Sequence, residues 1–309
     1  MGGSSDIPTR FYDSIFRAPS LRDARGYVIP SDQPDFSTAV KFVNALIRTG
    51  IGIQVAKSDF SVGKKKYPAG SYIVKTNQAF RPHIIDMFEP QDHPNDFQYP
   101  GGPPVRPYDA AGWTLAFQMG VKFDRFLEDF TGPFESLKYG ELENVKGSVD
   151  GTASAGYLLN PKANNSFVAV NDLLNEGVDV YRLPDGLADK NAPAGTYFVP
   201  ASAKAKSILE KNAADFGLKA TGVSRQPSDA MAKVSTTRIA LWDEYGGSMS
   251  SGWIRWLMEQ YHFKADVIFS KAVDAGDLNK KYDLIIFVSG AIPAVGERAG
   301  KRMGHTTGP

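Results

Sequence analysis

The chain has 309 residues, 42% hydrophobic and 12% aromatic, with 35 Lys and Arg against 34 Asp and Glu. That content fits a globular protein of two or three domains, and the near-cancelling charge gives neither a basic face for nucleic acid nor an acidic tail for a basic partner. Cysteine is absent, which excludes thiolate nucleophiles, thiolate metal ligands and disulfides. Met1 to Asp6 lacks the basic start and apolar run of a signal peptide, and no apolar stretch reaches the ~20 residues that cross a bilayer, so no membrane partner is expected.

Residues 1–25 read as a lead-in, with a short helical turn expected over Arg10 to Ile15. A clear unit then begins at Gly26. Tyr27 to Ile29 form a strand stopped by Pro30, and Asp35, Ser37 and Thr38 offer capping chemistry to a helix. Its apolar residues Ala39, Val43, Leu46 and Ile47 fall at helical spacing, and Gly50 ends it. Ile51 to Val55 alternates as a strand should, Lys64 to Lys66 reads as a solvated hairpin tip, and Tyr72 to Val74 supplies another strand.

That unit recurs. Val43 to Ile53 is echoed by Val170 to Val180, Gly26-Tyr27 by Gly156-Tyr157, and Pro68 to Tyr72 by Pro193 to Tyr197. Three matches in one order predict an internal duplication of a strand-helix-strand-turn-strand unit, with copies over about 26–75 and 156–199 inside an α/β region spanning 26–224.

The insert between the copies opens with Phe80 to Trp113, which holds His83, Asp86, Glu89, Asp92, His93 and Asp96 and a Pro/Gly passage from Tyr99 to Pro107. So many prolines argue against regular helix or a central strand, so a long ordered loop of functional or interface character is expected. His83, Asp86, Glu89 and His93 have the chemistry of divalent-ion ligands, and His83-x-x-Asp86 approaches the His-x-x-Glu spacing of zinc hydrolases. In an extended strand, however, His83 and Asp86 would point to opposite faces, and caps, turns and salt links are the commoner use of such residues. Interface or structural use is the favoured expectation, with no metal and no cofactor in this chain. Trp113 to Gly120 reads as a short helix with Asp109 as its cap, and Val121 to Phe126 as a strand.

Ala203 to Phe216 reads as a helix ended by Gly217, and residues 225–236 as a polar linker. Residues 237–293 differ in kind. Arg238 to Trp242, Ala265 to Phe269 and Asp283 to Val288 are near-continuous apolar strands alternating with helices, the pattern of a doubly wound parallel sheet. Three strands make only part of such a sheet, and residues 294–309 form an unpatterned tail, so the chain is expected to be a fragment. Asp243, Glu244, Gly246, Gly247 and Ser248 fall between strand and helix, where α/β proteins bind ligands. The alternative is a loop whose glycines turn the chain, because neither the dinucleotide nor the P-loop pattern is present and no nucleophile elbow surrounds Ser248 or Ser250. Trp253, Trp256 and Tyr261 are expected to pack one helix.

Several strings together resemble a known family. Gly-Tyr-Val-Ile-Pro-Ser-Asp-Gln-Pro-Asp-Phe (26–36), Phe-Arg-Pro-His-Ile-Ile-Asp-Met-Phe-Glu-Pro-Gln-Asp-His-Pro-Asn-Asp-Phe (80–97), Tyr-Pro-Gly-Gly-Pro-Pro (99–104), Tyr-Asp-Ala-Ala-Gly-Trp-Thr-Leu-Ala-Phe-Gln-Met-Gly (108–120) and Leu-Trp-Asp-Glu-Tyr-Gly-Gly-Ser-Met (241–249) are similar to the post-catalytic region of large bacterial zinc carboxypeptidase-like proteins. From Arg238 onward the chain also resembles the start of a class I glutamine amidotransferase-like domain. The resemblance implies a preceding peptidase domain as partner, zinc in that parent domain, peptides as substrate and an extracytoplasmic location. The family's zinc-ligand motif and the amidotransferase cysteine are both missing here, so no catalytic residue is carried over. The expected role is therefore a non-catalytic accessory region acting in packing or substrate access. A free-standing binding module is the alternative, and a hydrolase built on His83 and His93 ranks last.

Overall fold

The computed structural model describes residues 22–90, 96–106, 113–185, 187, 192–227, 230–288 and 291–292. The chain divides into two compact units, Met1–Gly147 with Lys162–Asn164, and Ser148–Pro161 with Asn165–Pro309.

In the first unit, β1 (Gly26–Ile29) is buried along its whole length. Asp35 caps α1 (Phe36–Arg48), its carboxylate accepting from the Thr38 amide at 3.1 Å and the Thr38 hydroxyl at 2.7 Å. Ala39, Val40, Phe42, Val43, Leu46 and Ile47 line the helix's buried side, so the cap fixes the start of a face that the sheet then covers. β2 (Gln54–Ala56), the hairpin of β3 (Phe60–Val62) and β4 (Lys65–Tyr67), and β5 (Tyr72–Lys75) follow. Then come α2 (Arg81–Phe88), α3 (Leu115–Gln118), β6 (Asp124–Phe126) and β7 (Phe134–Ser136). The main sheet runs β6-β1-β5-β2-β7, antiparallel throughout.

The second unit contains β8 (Ser148–Asp150), β9 (Gly156–Leu159), α4 (Asn165–Asn175), β10 (Val180–Arg182), β11 (Tyr197–Pro200), α5 (Ala203–Phe216), β12 (Lys219–Val223) and β13 (Ala232–Val234). Their sheet runs β13-β10-β11-β9-β12-β8. A separate parallel sheet, ordered β15-β14-β16, is made by β14 (Ile239–Trp242), β15 (Ala265–Ile268) and β16 (Leu284–Ile286), with α6 (Met249–Gln260), α7 (Ser270–Asp274) and α8 (Leu278–Lys281) between the strands. The chain is thus mixed α/β, with a parallel sheet at its C-terminal end.

The antiparallel trios β1-β5-β2 and β9-β11-β10 share one connection order. Tyr27 faces Val74 across the first, and Tyr157 faces Val199 across the second. The turns agree as well: Gly50 and Gly177 lie at φ +87° and +72°, and Gly70 and Gly195 at +79° and +86°. These are backbone conformations that glycine enters without a side-chain clash. The buried hydroxyls of Ser71 and Thr196 donate to Pro68 O and Pro193 O at 2.7 and 2.6 Å.

Several expected boundaries move. Helix covers residues 81–88 despite the prolines, because Pro82 sits in the first turn, where an amide has no intrahelical acceptor to lose. The strand expected from Ile51 starts only at Gln54. Before it, Gly52 donates to Gln78 Oε1 at 2.7 Å and accepts from Gln78 Nε2 at 3.1 Å, so a side chain takes the place of a partner strand. Ala232–Val234, expected as linker, pair with β10. The turn expected over Arg10 to Ile15 and the cap at Asp109 lie outside the described residues.

Each trio depends on a glycine at the entry of its first strand. A Cβ at Gly156 would lie 2.3 Å from Val199 O, whereas one at Gly26 would lie 3.1 Å from Val74 O. Gly156→Ala is therefore expected to cost about 3 kcal/mol and Gly26→Ala about 1 kcal/mol, a difference readable by urea unfolding. In the parallel sheet, Arg238 forks onto Asp283 with contacts of 2.7 and 3.0 Å. The Arg238 hydrogen bond, with the backbone donor behind it, lowers the Asp283 carboxyl from its ordinary 3.8 to about 2. A depressed carboxylate pKa stabilises above the unfolded value and ceases to do so as pH falls through the folded one. Carboxyl-carbon NMR should place the Asp283 midpoint near 2, and Arg238→Ala should return it toward the ordinary value.

Candidate functional site

β14 is the centre of the parallel sheet, with β15 and β16 on either side. Chain direction across the sheet therefore reverses beside the carboxyl end of β14, where open α/β sheets leave a crevice for ligands. Asp243, Glu244, Gly246, Gly247 and Ser248 follow that strand directly. Asp243 Oδ1 accepts from the amides of Glu244 at 2.8 Å and Ser248 at 3.0 Å. Gly247 N donates to Glu244 O at 2.8 Å, with Gly246 and Gly247 at φ +96° and +77°. Ser248 caps α6 by accepting from the Ser251 amide at 3.1 Å, so the helix begins directly after it at Met249. Asp243 is thus turned back onto its own loop, and two amides that would otherwise face an anion are occupied. The outward surface is Tyr245, stacked on Phe269 at 4.8 Å, and the two exposed glycines.

The second sequence candidate becomes helix α2 in its first half. On a helix His83 and Asp86 lie three residues apart on adjoining positions, not on opposite faces as in a strand. His83 Nε2 lies 2.9 Å from Thr49 Oγ1, while the Asp86 main-chain carbonyl accepts from Thr114 N at 2.8 Å. Glu89 points inward, where it accepts from the Tyr27 hydroxyl at 2.7 Å and Arg125 Nε at 2.5 Å. The Arg125 guanidinium also reaches Arg22 O. His93 and Asp92 lie outside the described residues. Among the described residues no three His, Cys, Asp or Glu side chains come together as a metal would require.

Glu89 instead closes a structural network. Burial pushes the Tyr27 phenol far above its ordinary range, and the hydrogen bond to Glu89 adds to that. Tyr67 with Asp124 and Tyr72 with Glu143 repeat the arrangement at 2.8 and 2.9 Å, each phenol raised by burial first and by its carboxylate second. A cleft of about 490 Å³ lies elsewhere in the first unit. It is lined in part by Lys75, whose ammonium sits 3.6 Å from the Phe130 ring centre and pairs with Asp129 at 2.7 Å.

The more accessible chemistry lies around α6 and was missed as a site. Trp253 and Trp256, expected as packing residues, are 64% and 51% exposed and meet edge to face at 5.9 Å. Met249, Trp253 and Trp256, spaced at four and three residues, share one helix face. Ile254, Leu257, Met258 and Tyr261 line an apolar groove of about 410 Å³. A helix apolar on two sides was the available signal, since one side alone suffices to bury a helix on its own sheet.

Comparisons with family models, with curated proteins and with solved structures found no match. Geometry and sequence therefore carry the functional reading.

Glu89→Gln removes the charge that holds Arg125 and Tyr27, and is expected to cost about 2 kcal/mol by urea unfolding at neutral pH. A raised phenol pKa stabilises fully below the free phenol value of about 10 and fades as pH climbs past it. Absorbance titration should therefore find Tyr27 un-ionised at pH values where a free phenol is deprotonated, and Glu89→Gln should shift its ionisation downward.

Proposed function

We propose that this chain is a non-catalytic accessory region of a zinc carboxypeptidase-like protein. It packs against the peptidase domain and helps govern how peptide chains reach it. The observation that carries this reading is the outward face of α6. Met249 is 82% exposed, beside Trp253 and Trp256. Tryptophan and methionine are enriched at protein interfaces, and two Trp with one Met on one helix face form the kind of anchor that a partner surface covers. The resemblance of the strings at 26–36, 80–97 and 241–249 supplies the identity of that partner.

Two further features support a role outside catalysis. Glu89 and His83 are committed to Tyr27, Arg125 and Thr49, and Asp243 is committed to its own loop. The correspondence between the antiparallel trios β1-β5-β2 and β9-β11-β10 supports the internal duplication, which we propose as the origin of the two larger sheets.

The test combines the chain with a separately produced zinc carboxypeptidase-like catalytic domain. Association measured by calorimetry is expected to weaken about tenfold or more on replacing Trp253 and Trp256 together by Ser, with far-UV dichroism unchanged. Release of C-terminal residues from peptides by the purified chain alone, abolished by chelator, would overturn the reading.

A further inference from the structure

A trough of about 760 Å³ opens within the second unit, walled by α4, by residues 234–239 and by the start of the parallel sheet. It is continuous with the apolar groove beneath α6, because Phe167, Ile239, Phe263 and Leu284 line both. The two ends differ in chemistry. The groove end is lined by hydrocarbon and aromatic side chains, Ile254, Leu257, Met258 and Tyr261 among them. The other end carries Arg238, His262, Lys264, Asp266 and Lys281.

The charged residues at that end are not equivalent. Arg238 is forked onto Asp283, and Asp266 is hydrogen bonded to Tyr282. His262 Nδ1 lies 2.6 Å from Asp172 Oδ1, and the other Asp172 oxygen accepts from Asn212 Nδ2 at 2.9 Å. Among the described residues neither Lys264 nor Lys281 forms a salt bridge, both are exposed, and Glu176 is near enough to feel the Lys264 charge. Two exposed ammonium groups therefore stand at the mouth of an apolar channel.

The mouth is also held in an unusual shape. His262 has φ +58°, a conformation that L-residues with bulky side chains seldom adopt. The turn is kept there by α4, where Asn171 donates to Tyr261 O at 2.8 Å and Asn175 to His262 O at 3.1 Å. Asn212 is buried to 1% exposure behind Asp172, with its own Oδ1 unpartnered. Such local strain persists where surrounding contacts over-determine it, and it concentrates at sites of ligand binding.

We propose that this trough binds an amphiphilic monocarboxylate, a molecule with an extended apolar body and one carboxylate head. The body lies along Ile254, Leu257, Met258 and Leu284, and the head meets Lys264 and Lys281. A volume of this size, apolar along most of its length with a few polar groups at one end, is that of a small-molecule site. Asp266 on the same wall adds negative charge, which favours a monoanion over a phosphate dianion. Trp253 and Trp256 do not line the trough, so this site and the proposed docking face are separate and can fail separately.

The test is calorimetric titration of the full chain with decanoate below its micellar concentration, with decanol as the uncharged counterpart. Saturable binding of one decanoate per chain is expected, tighter than decanol. Replacing Lys264 and Lys281 together by Ala should weaken decanoate about tenfold, equivalent to about 1.4 kcal/mol, and leave decanol unchanged. Leu284→Trp, a surface-accessible change that fills the channel, should weaken both ligands while the thermal transition stays in place. The proposal is overturned if decanoate gives no saturable heat, if decanol binds as tightly as decanoate, or if the paired lysine variant binds decanoate as the unaltered chain does.

Discussion

The close approach of the first strand of each antiparallel trio to its last is the constraint on which the rest depends. β1 and β9 are short and buried from end to end, and each enters its sheet through a glycine, Gly26 or Gly156, against the backbone of Val74 or Val199. Short strands have few hydrogen bonds, so a misfit at the entry cannot be absorbed further along. Because this pair closes, Tyr27 reaches Phe88 at 4.1 Å and stacks on it in the first core, while Tyr157 joins the second. The helix between first and second strand then has one place to lie, with Leu46 or Leu173 buried against the sheet.

Where the sequence states a local physical requirement, it was readable. Asp35 before an apolar helical stripe and Gly217 after one mark helix ends because their chemistry acts within a turn, and both ends lie where expected. The exceptions have identifiable causes. Pro82 reads as a breaker only if its position in the turn is unknown. Ile51 to Ile53 alternate and are buried at both isoleucines, yet Gln78, distant in sequence, takes the polar groups of Gly52. Periodicity reports which side chains are inside; it does not report what satisfies the backbone.

The candidate sites divide in the same way. The loop after β14 was legible as a position, since a strand followed by glycines and a helix places it at the end of a parallel sheet. That Asp243 would bond its own loop amides was not legible, because Asp in a glycine-rich loop serves ligands and turns equally well. Glu89 posed the reverse problem. It stands among other carboxylates and histidines in sequence, and its partners Tyr27 and Arg125 come from β1 and β6. The two apolar faces of α6 could be counted in sequence, but only packing shows that one lines a groove and the other faces outward.

The left-handed residue His262 ties two parts of the second unit together. Its turn connects α6 to β15, and three side chains of α4 hold it: Asn171 and Asn175 by the backbone carbonyls and Asp172 by the imidazole. An unfavourable local conformation persists only where the surrounding contacts over-determine it. The entry to β15 is therefore shaped by α4, so the six-stranded sheet on which α4 lies acts as a template for the segment that follows it in the chain. Growth of the chain from N- to C-terminus supplies the pieces in that order.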